Sequence, residues 1–121
     1  MTDKELLLKD LCARLPYGVH YNHIAWDEEL GEVEISVKIH SINHDGYVRN
    51  CYDDETIYID RVKPYLFPIS SMTEEQKEEW RGIRWSKLPW DELDWLNKGH
   101  WDYRHLIEKG LALDATGLNI Y

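Results

Sequence analysis

Hydrophobic and polar positions along the chain change period twice. Near the start, Leu7, Leu8, Leu11 and Leu15 recur at helical spacing. Thr2-Asp3-Lys4-Glu5 reads as a capping box opening that helix. The helix is expected to run to about Arg14, because the residue before Pro16 avoids the helical region. From residue 17 to residue 60 the period becomes two. Val33, Ile35, Val37 and Ile39 alternate with Glu34, Ser36 and Lys38, the pattern of a strand with one buried and one wet face. Residues 17–24 read as the preceding strand, with a turn over 27–31. Asn43-His44-Asp45-Gly46 supplies the chemistry of the next hairpin turn, and residues 47–52 and 56–60 read as two more short strands.

Beyond residue 60 the pattern turns helical again. A strap rich in proline and aromatics, Pro64-Tyr65-Leu66-Phe67-Pro68, joins the two regions and is expected to be extended and anchored by Leu66 or Phe67. Overlapping capping boxes start at Ser71 and Thr73, and the helix after them is expected to end near Gly82. Pro89 opens another helix through about Lys98. A last short helix is expected over 102–109 with Gly110 beyond its end, and then a tail that folds back on the body. The class is α+β: an N-terminal helix, a meandering antiparallel sheet of three or four strands, and two or three C-terminal helices packed on one face. The 121 residues make a single domain, 1–121. A chain of this size gains from oligomerisation, so a homo-oligomer is one expectation.

Charge narrows the function classes. The net charge is −9, which argues against direct nucleic-acid binding, since that needs a basic footprint to displace counterions. Acid is dense at Asp27, Glu28, Glu29, Glu32 and Glu34, and again at Asp53, Asp54 and Glu55. Both runs fall at expected turns and read as solvated charge; the sharper alternative is a protein that imitates nucleic acid in a basic cleft. Cys12 and Cys51 match no metal-ligand spacing and read as reduced thiols in a cytoplasmic protein. Residues 1–10 do not read as a secretion signal, and no stretch approaches transmembrane length.

Candidate chemistry is sparse. Six histidines include His20 and His23 on opposite strand faces, and His40, His44 and Asp45 near one sheet edge. None has a zinc spacing, so no metal and no cofactor are expected. Ser70 and Ser71 precede a helix start but belong to no nucleophile motif, so no catalytic residue is assigned. Trp80, Trp85, Trp90 and Trp95 recur every five residues, which is neither a helical nor a strand stripe. Some of these rings are expected in the core and some at the surface. Trp85, followed by Ser86 in an inter-helix loop, is the first choice for exposure. Arg81 and Arg84 lie beside it, and arginine with tryptophan suits an anionic aromatic ligand. Trp85, Arg81 and Arg84 are therefore the candidate ligand- or partner-binding set. The plainer alternative pairs these arginines with nearby glutamates.

Four segments, DLCARLPYGV at 10–19, VKPYLFPISSMTEE at 62–75, DWLN at 94–97 and DYRHLIEKGLAL at 102–113, recur in this order in a known family. By these motifs the chain resembles a family of short proteins from gut-bacterial genomes and their phages that has no established function. The resemblance implies an accessory protein of a phage or mobile element and carries no catalytic residue with it. The expected function is that of a non-enzymatic, phage-type accessory binding protein acting on a host protein or host signalling molecule, with a counter-defence role among the uses it suggests. The alternatives are a sponge for a nucleotide second messenger, taking a small anionic ligand, and a small hydrolase.

Overall fold

The computed structural model describes residues 2–53, 55–85 and 89–121, with the backbone alone at 89 and 90. Helix α1 spans Asp3–Arg14, and the Thr2 hydroxyl accepts the Glu5 amide at its start. Strand β1 is His20–Asp27 and β2 is Gly31–Ile42; β3, Tyr47–Asn50, and β4, Thr56–Tyr58, complete a four-stranded antiparallel sheet in sequence order. The first strand starts later than its pattern suggests. Leu15–Tyr17 form a short 3-10 turn that ends on Gly18 in the left-handed region. Asn43 builds the second hairpin turn, its side-chain oxygen accepting the Asp45 and Tyr47 amides at 3.0 Å each.

The strap is ordered. Its strand β5, Tyr65–Leu66, pairs in parallel with β6, Leu113–Asp114, so the C-terminal segment returns to the body. Helix α2, Glu74–Trp85, opens on a reciprocal capping box: Thr73 and Gln76 each accept the other's amide through their side chains. It continues past Gly82, because one glycine in a helix costs only about 1 kcal/mol. Helix α3 is Pro89–Lys98. Residues 102–110 form turns rather than the expected helix. There the Asp102 carboxylate takes both the Leu106 and Ile107 amides, and Leu111 N–H bonds the Leu106 carbonyl, which closes the segment into a tight loop.

Two apolar clusters hold these parts. In the larger, Leu7 and Leu11 of α1 meet Val19, Tyr21, Val37, Ile39 and Val48 of the sheet region. The odd-numbered residues of β2 face inward, as alternation requires. The smaller cluster centres on Met72, Leu96 and Trp101, with Trp80 and Trp95 packed against it. Two indole–carboxylate bonds running in opposite directions lock α2 to α3: Trp80 to Glu92 and Trp95 to Glu79.

A buried charged pair on α1 reaches the residues of the smaller cluster. Leu7, Asp10, Leu11 and Arg14 are the buried residues of α1. Asp10 accepts both Arg14 nitrogens, Nε at 2.9 Å and Nη2 at 3.1 Å, and Arg104 at 2.8 Å. Arg14 also donates to the Trp101 carbonyl, so this network ties the first helix to the C-terminal turns.

Candidate functional site

Strands β1 and β2 form an arm. Their pairing runs from His20–Lys38 out to Asp27–Gly31, whereas β3 joins β2 only from Ile39 onward. The outer half of the arm is therefore a two-stranded ribbon. Asp27 shapes its tip by accepting the Glu29 and Leu30 amides, and Gly31 closes the turn at φ +78°, where a side chain would be strained.

The pairing assigns each side chain to a face. Tyr21 with Val37, His23 with Ile35 and Ala25 with Val33 turn inward. Ile24 opposite Glu34, and Trp26 opposite Glu32, turn outward. Trp26 is 75 % exposed and Leu30, in the tip, 76 %. Exposed carboxylates of Asp27, Glu28, Glu29, Glu32 and Glu34 surround them. The result is a projecting surface with a few large apolar groups ringed by negative charge. Truncating a buried tryptophan anchor in an interface typically costs at least about 2 kcal/mol. The acidic ring adds attraction to a basic partner, felt mainly in the rate of encounter.

A hydrogen-bond relay braces the base of the arm. The Asn50 side-chain oxygen accepts the Tyr52 and Asp53 amides at 2.9 Å each. That fixes the amide, so its nitrogen donates to the Tyr21 hydroxyl at 2.9 Å. The Tyr21 hydroxyl in turn lies 3.2 Å from His23 Nδ1. His23 Nε2 faces the Asp53 carboxylate at 3.0 Å; a carboxylate only accepts, so this nitrogen carries the proton, and the neutral ring then accepts the Tyr21 hydroxyl at Nδ1. The Asp53 carboxyl is held below its ordinary range, first by the Glu55 amide and then by the His23 and Asn50 contacts. His23, Asp53 and Glu55 bring ligand-type atoms within 4.8 Å of one another, a grouping that could hold a cation. In the relay, however, the Nε2 lone pair is occupied by a proton. The arrangement secures a histidine that is only 1 % exposed. Spacing alone does not mark this trio: His23 lies far in sequence from the two acids, and only the inward parity of β1 reveals it.

Trp85, Arg81 and Arg84 occupy one exposed face at the C-terminal end of α2, at helical spacings of three and four. Trp85 is 81 % exposed. Arg84 lies 3.5 Å from Glu92 and stacks over Trp80 at 5.2 Å, so part of its guanidinium is engaged within the protein. Ser86 and Asp54 lie outside the described residues, as does the side chain of Trp90. Ser70 is exposed, and the Ser71 hydroxyl donates to the Pro68 carbonyl. His44 and Asp45 are exposed side by side in their turn, 3.5 Å apart. Cys12 and Cys51 are both exposed; partial burial raises the Cys12 thiol, which works against nucleophilic use.

A cavity of about 520 Å³ lies where the strap, α2 and α3 meet, lined by Phe67, Trp95, Trp101, Gln76, Glu79 and Lys98 among others. Several of its polar groups are spent on one another: Glu79 on the Trp95 indole, and Gln76 on Thr73. A second cavity of about 380 Å³ lies against His23, Ile57 and Lys63 at the base of the arm.

The chain matches no protein-family model, no curated protein and no solved structure. No helix among the described residues is long and apolar enough to cross a membrane.

Proposed function

We propose that this chain is a non-enzymatic binding protein whose β1–β2 arm engages a positively charged surface of a partner protein. In the setting implied by the sequence resemblance, it is a phage-type accessory factor and the partner belongs to the host. The observation that carries the reading is Trp26, 75 % exposed on the outer face of the arm and directly opposite Glu32. A tryptophan in water beside carboxylates contributes little to folding, whereas it suits an interface that buries the ring and neutralises the charge.

The test is capture of host protein by the parent chain, by Trp26→Ala with Leu30→Ser, and by Trp85→Ala with Arg84→Ala. The reading expects capture to fail only in the first double variant. Loss only in the second would move the interface to the end of α2.

A second reading places a nucleotide second messenger on Trp85, Arg81 and Arg84. It is favoured by their shared exposed helix face, with tryptophan for stacking and arginine for phosphate. A rise in melting temperature with cyclic or linear nucleotides, lost in Trp85→Ala with Arg84→Ala, would support it. No shift with any nucleotide would remove it.

A further inference from the structure

We propose, resting on that reading of the arm, that the partner enters as an extended segment added to the open edge of β2. The segment alternates basic and apolar residues.

Two hydrogen bonds set the direction of every backbone group on that edge. Ile39 N–H bonds the Val19 carbonyl at 3.0 Å, so odd-numbered residues of β2 turn their backbone groups toward β1. The Lys38 carbonyl accepts the Cys51 amide at 2.9 Å, on the opposite side. By the same alternation, Glu32, Glu34 and Ser36 direct their N–H and C=O groups away from β1. Strand β3 begins to pair only at Ile39, and these groups have no backbone partner among the described residues. Unpaired groups in register are what a sheet edge offers to an incoming strand.

The faces of β2 specify the incoming side chains. On the outer face a new strand lies beside Glu32 and Glu34, which favours lysine or arginine there. On the inner face it lies beside Val33 and Ile35, both half-buried, which favours apolar residues. A second copy of this chain fits poorly: pairing β2 with β2 would set glutamates beside glutamates, and like charges directly opposite are destabilising. Charge therefore selects a basic strand over self-association.

The probe is a peptide of four lysine–valine repeats, acetylated and amidated, measured against the full chain by fluorescence anisotropy. Two relatives carry N-methyl groups on every lysine or on every valine. Only one of these sets turns its amides toward β2, so one methylated peptide should lose at least tenfold in affinity while the other binds like the parent. Glu32→Lys with Glu34→Lys, its fold checked by circular dichroism, should also lose at least tenfold. Equal binding by both methylated peptides would overturn strand addition. So would binding by none of the three, or self-association of the parent chain that this double variant abolishes. The arm reading fails by a different result, partner capture that ignores Trp26 and Leu30, so the two failures are distinguishable.

Discussion

Trp26 on β1 stands directly opposite Glu32 on β2, and both turn away from the core. This pair joins an apolar ring to a carboxylate at the free end of a two-stranded ribbon. The inward pair three positions nearer the base, His23 and Ile35, plays the opposite part, since His23 is buried and wired through Tyr21 to Asn50. One register thus separates a supported face from an offered one.

Removing the offered residues should leave the fold intact. Trp26→Ala and Leu30→Ser are expected to change unfolding free energy by less than about 0.5 kcal/mol, as exposed substitutions do. Urea denaturation checks this, and a large loss would show that the arm's apolar groups serve the fold.

The inward face should be intolerant. Val37 is buried in the larger core, so Val37→Asp places an unpaired charge there and is expected to unfold the domain. Ile35→Asp should act the same way. Circular dichroism of the purified variants decides it.

The buried ion network should depend on Asp10. Asp10→Asn leaves Arg14 charged and enclosed without its carboxylate, and a loss of about 3–5 kcal/mol is expected in urea denaturation. Arg104→Ala removes a more exposed partner and should cost less.

Acid should weaken the fold in a definable window. Burial, aided by the charge of Arg14 and by His20, lowers the His100 imidazole from 6.5 to about 4. The unfolded chain binds this proton below about 6.5 while the native chain stays neutral to about 4. Stability from this group is therefore complete above the upper value and declines as pH falls toward the lower one. Asp53, also lowered in the fold, adds its loss at more acid pH. His100 has φ +59°, so His100→Asn keeps a residue that tolerates the left-handed region. Urea midpoints between pH 7 and pH 4 should fall for the parent and fall less for the variant.

Much of the fold was legible in periodicity. The Thr2 N-cap, the Thr73 capping box, the β2 alternation and the Pro89 helix start all follow from local chemistry, and each is present. The turn run at 102–110 was not legible, because its helical pattern yields to long-range bonds: Asp102 N–H to the Phe67 carbonyl, and Phe67 N–H to the His100 carbonyl. The buried pair Asp10 and Arg14 was hidden too, since two charges four residues apart read as a solvated helix pair. For the candidate site, tryptophan spacing points to Trp85 and not to Trp26. The signal was available. Closing the turn between Asp27 and Gly31 with Val33 and Ile35 inward forces Trp26 and Ile24 outward.

The most direct test places the photo-crosslinking residue p-benzoylphenylalanine at position 26 or at position 85 and irradiates each chain in host lysate. Both sites are exposed, so either chain should fold. An interface on the arm gives a discrete partner adduct from position 26, suppressed by high salt, and none from position 85. An adduct from position 85 with none from position 26 would contradict it.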